Sequence, residues 1–306
     1  MRIPPAPKAL MLNLLIIGYG DIGARTAGLA AAAGHTVTVA GRRKPATAPQ
    51  PAKNIRHLTL DLDQPQTLTN LPVAGATMLY LAPPPATGCH DDRVRALCTA
   101  LSKSRQRPQR LVYISTSGVY GDCGGAVVNE ERPPQPQTDR ARRRLDAETV
   151  LRIWTQEHLV PLIILRVAGI YGPNRLPLER LAAGMAILEP AASPYSNRIH
   201  ADDLARICLA AAERGADGDL FNVCDGEESR MSDYFIAVAK AFGLPAPRCL
   251  DRQSAATSLS PEMLSYLAES RRLDNRRLRE DLGVELLYPN LAAGLAAIRH
   301  GGQQPE

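Results

Sequence analysis

The feature that most constrains this 306-residue chain is a short apolar run that leads directly into three closely spaced glycines. Residues Leu12–Ile17 are apolar apart from one asparagine, as expected of a strand that is buried on both faces of a sheet. Residues Asp21–Ala33 are rich in alanine, and the glycine that follows them is placed to end a helix. The glycines between these two segments have the spacing G-x-G-x-x-G: Gly18, Gly20 and Gly23. The pattern predicts a strand, a tight turn and a helix in immediate succession.

Each glycine of this motif has a physical role when the motif joins a strand to a helix. Gly18 permits the tight turn, Gly20 lets the backbone approach a pyrophosphate, and Gly23 lets the helix pack closely on the strand. The helix opens with Asp21 and Ile22, and its free N–H groups and positive dipole end favour a phosphate there. The motif therefore predicts a dinucleotide-binding turn, with a glycine-rich turn that binds nothing as the alternative.

Strand and helix patterns alternate through the rest of the first half of the chain. Strand patterns occur at Thr36–Ala40, Ile55–Leu60, Met78–Ala82, Leu111–Ser115 and Leu162–Val167, and helical patterns at Asp91–Ser104 and Asp139–Glu157. Such alternation indicates parallel βαβ units. We therefore predict an α/β fold whose residues 11–170 form a dinucleotide-binding domain with a Rossmann-type, doubly wound parallel sheet.

After Tyr171 the pattern changes to shorter helical segments, with one strand candidate at Leu220–Val223. The helical segments lie at 176–186, 202–212, 231–241 and 275–282. We predict a smaller, mainly helical substrate lobe over residues 171–300, with segments that return to the sheet. Residues 1–10 are expected to be a flexible extension and residues 301–306 a loose tail.

The end of the second predicted strand indicates which dinucleotide is bound. An NAD site has an acidic residue about 20 residues past the glycine motif, where it accepts hydrogen bonds from the ribose 2′-hydroxyl. This chain has Arg42 and Arg43 there and no acidic residue. A carboxylate would repel a 2′-phosphate, whereas a guanidinium binds one with two hydrogen bonds. The sequence therefore favours NADP(H) over NAD(H), with solvated loop arginines as the alternative.

Composition narrows the classes of partner. Aromatic residues make up only 4% of the chain, and a net charge of +5 is spread among acids rather than gathered in a stripe, which argues against nucleic-acid binding. No apolar stretch approaches the length of a membrane span, and the six cysteines show neither a C-x-x-C pair nor metal-ligand spacing. We expect a cytoplasmic protein with a small-molecule substrate and no metal, nucleic acid or membrane as partner. A homodimer is left open.

Five further segments match one family in order. They are Asp61-Leu62 after the third strand, Ile114–Gly121, Leu165–Pro173, Arg198–Leu204 and Phe221–Val223. With the glycine motif, they make residues 12–298 resemble the extended short-chain dehydrogenase/reductases of the NAD-dependent epimerase/dehydratase type. The resemblance implies that Asp61 and Leu62 contact adenine, that Ala82 at the end of the fourth strand lies at the cofactor, and that Thr116 matches the catalytic Ser/Thr.

The chain departs from this family at its catalytic residues, so it resembles an atypical subgroup. Family enzymes carry Tyr-x-x-x-Lys on the helix after the fifth strand, and the matching positions here are Arg140 and Arg144. Arg140 cannot exchange a proton at working pH, whereas Arg144 retains the charge and donors needed to hold a ribose or a phosphate. A further departure is Gly169, where many sugar-nucleotide enzymes have asparagine. Thr116 could polarise a substrate carbonyl but is a poor proton source.

An acid for catalysis would therefore have to come from elsewhere in the fold. The candidates are water and three side chains, Tyr120, Tyr171 and His200, although a helix-capping role is favoured for His200. The leading hypothesis is an NADP(H)-dependent oxidoreductase or epimerase-like enzyme acting on a small carbonyl or sugar-nucleotide-like substrate. A non-catalytic NADP(H)-binding redox sensor is the rival hypothesis, and a protein-binding scaffold is the third, because the fold alone does not select among them.

Overall fold

The computed structural model describes residues 11–42, 54–104 and 106–301. The predicted extension at 1–10, most of the predicted tail and Arg43 lie outside these described residues.

The described residues form strands and helices in the alternation that the sequence predicts. The strands are β1 (Asn13–Ile17), β2 (Thr36–Gly41), β3 (Ile55–Thr59), β4 (Thr77–Tyr80), β5 (Arg110–Thr116), β6 (Val127–Val128), β7 (Leu162–Val167), β8 (Gly169–Tyr171), β9 (Ala186–Leu188), β10 (Tyr195–Ser196), β11 (Arg198–His200), β12 (Leu220–Val223), β13 (Ser229–Arg230), β14 (Arg248–Leu250) and β15 (Arg272–Leu273). The helices are α1 (Asp21–Ala32), α2 (Asp92–Lys103), α3 (Asp139–His158), α4 (Leu178–Ala182), α5 (Ala201–Arg214), α6 (Met231–Ala241), α7 (Arg252–Ser258), α8 (Pro261–Leu267), α9 (Arg276–Glu280) and α10 (Leu291–Arg299), with short 3₁₀ turns at Pro65–Leu68, Ser117–Tyr120 and Pro190–Ala192.

One parallel sheet organises the described residues. Its seven strands lie in the order β12-β7-β5-β4-β1-β2-β3, and every neighbouring pair is parallel. The strand order reverses on either side of β1, which pairs with β2 on one edge and with β4 on the other. The predicted α/β, doubly wound fold is therefore confirmed. The carboxyl ends of β1, β2 and β4 form the crevice where such sheets bind ligands.

Helices cover both faces of this sheet. α1 packs against α5 on one face, and α2 packs against α3 on the other. Successive strand residues serve the two layers in turn, because side chains alternate along a strand. In β1, for example, Leu14 and Ile16 belong to the α1–α5 core, whereas Leu15 and Ile17 belong to the α2–α3 core. None of the described helices is both long and apolar enough to cross a bilayer.

A third core lies in the C-terminal lobe, where α6 and α10 pack around buried Tyr171. Gly294 of α10 makes this packing possible, since a Cβ there would lie 2.1 Å from the Tyr171 hydroxyl. The helix predicted over 176–186 is shorter in the structure, and that prediction is wrong at its carboxyl end. α4 ends where Gly184 adopts a φ of +79°, and the next residues form β9, which pairs with β14 about sixty residues later.

Candidate cofactor and substrate site

A cleft of about 630 Å³ opens at the carboxyl ends of β1, β2 and β4. We call it the glycine cleft, because the glycine motif forms its floor. Every cofactor residue that the sequence predicts within the described part of the chain lines it: Gly18, Gly20, Asp21, Ile22, Gly23, Arg42, Asp61, Leu62, Ala82 and Arg144. The structure thus brings together residues that are far apart in the chain.

The three glycines of the motif are required for different reasons. Gly18 has a φ of +103°, and a Cβ there would lie 2.5 Å from the backbone nitrogen of Ala82. A Cβ on Gly23 would lie 2.4 Å from the Gly18 carbonyl oxygen, so both glycines are needed by the fold itself. A Cβ on Gly20 would meet no protein atom within 4 Å. Packing does not explain this glycine, whereas a ligand that approaches the backbone does, so the turn fits a dinucleotide diphosphate.

The carboxylate of Asp21 lies in the first turn of α1, where it would oppose an anionic ligand if it were unpaired. Two arginines hold it: Arg25 Nε donates to Asp21 Oδ1 at 2.7 Å, and Arg175 Nε donates to Oδ2 at 2.6 Å. Partial burial alone would raise the pKa of Asp21, but these hydrogen bonds outweigh burial and hold the pKa below its usual value. Arg175 lines the cleft and was not predicted from the sequence. Arg25 also pairs with Asp202, so the charges of these four side chains balance, and Asp21 does not oppose a diphosphate at the free N–H groups of the turn.

Two further arginines line the cleft, one just beyond β2 and one in α2. Arg42 is exposed just beyond β2 and lines the cleft. Arg93 of α2 also lines the cleft, and its Nε and Nη2 donate to the two carboxylate oxygens of Asp63 at 2.7 and 2.6 Å. These hydrogen bonds lower the pKa of the Asp63 carboxyl. Asp61 is engaged in its own loop, where its Oδ1 accepts from the backbone N–H of Asp63. Both acids are therefore held by neighbours, while Arg42 lines the cleft.

Arg140 and Arg144 lie one turn apart on α3 but reach into different cavities. Arg144 lines the glycine cleft, and its Nη1 donates to the carbonyl oxygens of Ile114 at 3.0 Å and Ala82 at 3.4 Å. Arg140 instead donates to Ser265 Oγ at 3.0 Å, and its guanidinium lies 4.1 Å from the ring centre of Tyr266 on α8. The two arginines thus line different cavities, and their predicted division of roles stays a prediction.

A buried ion pair sets the position of α3 against the sheet. Glu148 of α3 accepts two hydrogen bonds from Arg166 of β7, at 2.7 and 3.1 Å, and one from Ser115 Oγ of β5 at 2.5 Å. Both charged side chains are almost fully buried. Removing one partner would leave an uncompensated buried charge, so the pair fixes one geometry for α3. Arg144 lies one helical turn before Glu148 and is held at the strand ends by this anchor.

A second cavity of about 440 Å³ adjoins the glycine cleft. Residues that are close together in the chain line different cavities. Ile114 and Ile170 line the glycine cleft, whereas Thr116 and Gly169 line the second cavity. We call the second cavity the basic pocket after its four arginines, Arg140, Arg180, Arg198 and Arg271. Thr116 Oγ1 accepts from the backbone N–H of Gly118 at 3.2 Å, so its hydroxyl hydrogen remains available to a ligand.

The three acids considered from the sequence line neither cavity. Tyr120 is buried and donates to Asn222 Oδ1 at 2.8 Å, and Tyr171 is buried in the C-terminal lobe. His200 lies between Tyr171 and Tyr288 and caps α5, where its Nδ1 accepts from the N–H of Asp202 at 3.2 Å. Burial lowers its pKa to about 4. Capping by His200 is confirmed, and the hypothesis that these side chains supply an acid to the site is not supported.

Comparisons with known proteins show the same fold. A structure of a functionally unknown conserved protein from Silicibacter pomeroyi is 30% identical, with a TM-score of 0.78 and coverage of 95% of this chain and 99% of that one. UDP-N-acetylglucosamine 4-epimerase from Bacillus cereus shares the fold at 18% identity and a TM-score of 0.73, over 95% of this chain and 99% of that one. Protein YeeZ of Escherichia coli is 26% identical over 187 residues, which make up 60% of each chain.

The family assignment rests on a match that covers more than half of the chain. The family model described as the NAD dependent epimerase/dehydratase family matches residues 14–224, which run from β1 through β12 and include the glycine motif, Thr116 and both helical arginines. The chain therefore belongs to the NAD dependent epimerase/dehydratase family.

Proposed function

We propose that the protein binds NADP(H) in the glycine cleft and transfers hydride between it and a small carbonyl or sugar-nucleotide-like compound held in the basic pocket. The observation that carries this proposal is the adjacency of the two cavities. Gly169 and Ile170 are consecutive in β8 but line different cavities. Thr116 and Ile114, which are near neighbours in β5, also line different cavities. Ligands in the two cavities would therefore meet at Thr116. When bound, the nicotinamide ring supplies or accepts the hydride, and the protein supplies orientation and electrostatics.

The preference for the phosphorylated cofactor rests on charge at the end of β2. Arg42 lines the cleft there, and the sequence has no acidic residue between β2 and β3; Asp61, which also lines the cleft, comes after β3. Arg93 pairs with Asp63, so that this carboxylate does not oppose a phosphate in the cleft. A 2′-phosphate needs such guanidinium donors, whereas a carboxylate would select the unphosphorylated ribose.

Thr116 is the side chain that we propose to polarise the substrate carbonyl. It lines the basic pocket, and its remaining hydroxyl hydrogen is free to donate to a carbonyl oxygen. Arg144 holds cofactor hydroxyls in the adjoining cleft. In reduction, the substrate oxygen that becomes an alkoxide takes its proton from water, because Arg140 replaces the proton-exchanging tyrosine. Thr116 would thus stabilise the negative charge that develops on the substrate oxygen, while water rather than a side chain supplies the proton.

A non-catalytic NADP(H) sensor is the second candidate. The observation that favours it is the burial of Tyr120, Tyr171 and His200 away from both cavities. A sensor would keep the glycine cleft and the arginines that hold the cofactor. It would bind NADPH tightly and respond in shape, without turnover of any carbonyl compound.

Titration of the cofactor fluorescence tests the proposal. NADPH should bind at least about tenfold more tightly than NADH, because charge-assisted hydrogen bonds to a phosphate contribute about 1.5–3 kcal/mol. Arg42→Ala should reduce this preference and leave NADH affinity nearly unchanged. Arg56→Ala is the matched control, since Arg56 is exposed on neighbouring β3 and does not line the cleft.

The outcome of these measurements separates the candidates. Equal affinities for NADPH and NADH would contradict the cofactor assignment. NADPH oxidation against a panel of carbonyl compounds would support the enzyme, and tight binding without turnover across the panel would support the sensor. Thr116→Val should lower any turnover without changing NADPH affinity, because it removes the hydroxyl and keeps the side-chain shape.

A further inference from the structure

The basic pocket carries more positive charge than its own acids neutralise. Of its four arginines, Arg271 is paired with Glu269 at 2.9 Å. Among the described residues, no carboxylate lies within ion-pairing distance of the remaining three, Arg140, Arg180 and Arg198. Arg180 is exposed, and an exposed arginine needs no partner, but Arg140 and Arg198 are half-buried in the wall of the same cavity. The charge therefore calls for a ligand that brings negative charge with it.

Arg198 shows most clearly that this charge is not simply solvated. Its guanidinium lies 4.5 Å from the ring centre of Tyr234, and Nη1 donates to Ser196 Oγ at 2.6 Å and to the Asn197 carbonyl oxygen at 3.1 Å. Burial lowers the pKa of Arg198, and the neighbouring acidic groups offset this only in part. Arg198 is half-buried and has no carboxylate partner among the described residues, so its guanidinium loses part of its hydration, and an anionic ligand would compensate that loss.

Gly169 and Arg198 form a coupled pair. A Cβ on Gly169 would lie 2.8 Å from Nη1 of Arg198 and 3.3 Å from the Asn197 carbonyl oxygen. The glycine therefore makes the room that this arginine occupies. Gly169 and Arg140 are two of the positions where the sequence departs from its family, and the structure places both in the wall of the basic pocket. Gly169 thus leaves space in this wall for the guanidinium of Arg198, and Arg140 adds a second guanidinium to the same wall.

Glu269 adds a second requirement for the ligand. This residue is 7% exposed, its Oε2 accepts from Arg271, and its Oε1 is buried with no hydrogen-bond partner in the described residues. A buried carboxylate oxygen without a donor costs free energy. A hydroxyl or an amine on the ligand would satisfy it, since Glu269 lines the pocket.

We propose that the basic pocket binds the oxyanion group of the substrate, a carboxylate or a phosphate, through Arg140 and Arg198, while Glu269 accepts a hydrogen bond from a hydroxyl or amine of the same molecule. This inference rests on the proposed function, because it names the substrate class of the pocket beside the cofactor. In this proposal, Arg140 binds the negative charge of the substrate at the position where family enzymes carry the proton-transferring tyrosine. The cavity of about 440 Å³ has room for a small molecule that carries both groups.

Calorimetric titration of the whole protein with inorganic phosphate and with malonate tests the proposal. Both titrations are made at constant ionic strength set with chloride, with and without saturating NADP⁺, so that phosphate binding in the glycine cleft is distinguished. Arg140→Gln and Arg198→Gln should each weaken binding of the anion about tenfold, the loss expected for a charge-assisted hydrogen bond. Arg152→Gln, which is exposed on the same helix as Arg140, should leave it unchanged.

Each outcome has a definite meaning. Tighter binding of malonate supports a carboxylate, tighter binding of phosphate supports a phosphate, and similar binding supports the shared oxyanion chemistry. Absence of binding by both probes, or binding that survives both glutamine variants, overturns the proposal. If NADPH fails to bind while the anion binds through Arg198, the proposed cofactor function fails and the pocket stands. If NADPH binds and neither anion does, the pocket fails alone.

Gly169→Asn provides an independent test of the coupled pair. The new side chain would displace the flexible end of Arg198, so anion affinity should fall about as far as in Arg198→Gln. NADPH affinity measured on the same sample reports whether the variant is folded, and Gly169→Ala provides a smaller perturbation of the same kind. Undiminished anion affinity in both folded variants would overturn the role of Arg198.

Discussion

Arg175 offers the sharpest test of how the glycine cleft holds negative charge. Its Nε lies 2.6 Å from Asp21 Oδ2, and Arg25 occupies the other carboxylate oxygen at 2.7 Å. In Arg175→Ala the Asp21 carboxylate would keep one guanidinium and expose more charge to the diphosphate. Two unit charges 4 Å apart interact by about 1 kcal/mol in water and about 4 kcal/mol at a protein surface. Both side chains are about one third exposed, so we expect a loss near the lower value.

The expected result is a weakening of NADPH binding by about fivefold, which corresponds to about 1 kcal/mol. The assay is fluorescence titration of NADPH at two salt concentrations, and the effect should shrink as salt screens it. The Asp21→Asn variant separates repulsion from direct contact. When Arg175→Ala is combined with Asp21→Asn, it should cost much less, because the charge that Arg175 neutralises is gone.

An equal loss with and without Asp21→Asn would refute this reasoning and would show that Arg175 contacts the cofactor itself. Acid unfolding gives a second measurement of the same cluster. The folded-state pKa of Asp21 lies below its usual 3.8, so its contribution to stability is present above that value and is lost as the pH falls through the folded-state pKa. Arg175→Ala should reduce this contribution and make the acid unfolding of the protein less dependent on Asp21.

Three further predictions concern single positions. Gly20→Val should fold and yet lose NADPH and NADH binding, since its side chain enters open space in the cleft; retained affinity in a folded protein would make the turn purely structural. Arg144→Ala should weaken NADPH binding by about 1–2 kcal/mol, whereas Arg140→Ala should change it little, and equal losses would mean that the two act together. In the unfolded chain His200 binds a proton below about pH 6.5, whereas the buried side chain binds one only near pH 4. The protein should therefore lose stability over this range, on the order of 3 kcal/mol at most. His200→Asn keeps a cap for α5 and should remove this loss. Denaturant midpoints of the two proteins across that range check the last point, and parallel curves would contradict it.

The first half of the fold could be predicted because its signals are local. The run before Gly18 is apolar on both faces, and this is how a central parallel strand must read when helices cover both sides of the sheet. The glycine motif then fixes the crossing of β1 into α1, and the close contact of Gly18 with Ala82 fits the pairing of β4 with β1. Residues as far apart as Arg42 and Arg144 could be assigned to one cleft for the same reason, since parallel strands end at the same edge.

The C-terminal lobe was predicted less well, since its short elements depend on distant partners. β9 and β14 are three residues each and pair across about sixty residues, so neither has a sequence pattern of its own. The helix predicted at 176–186 failed there because Gly184 follows the end of α4 and the pairing with β14 then takes over. Intrinsic helix preference is weak enough for such tertiary pairing to override it.

The sequence by itself determined the parallel sheet, the dinucleotide turn and the loss of the tyrosine at Arg140, because each depends on residues within one strand, turn or helix. Only the tertiary structure decided which charges meet. Arg175 contacts Asp21 across 154 positions, and Arg198 fills the space beside Gly169, although the local sequence predicts neither contact. Long arginine side chains extend far from their own backbone, so their partners are chosen by the packing of the lobe over the sheet rather than by neighbours in the chain.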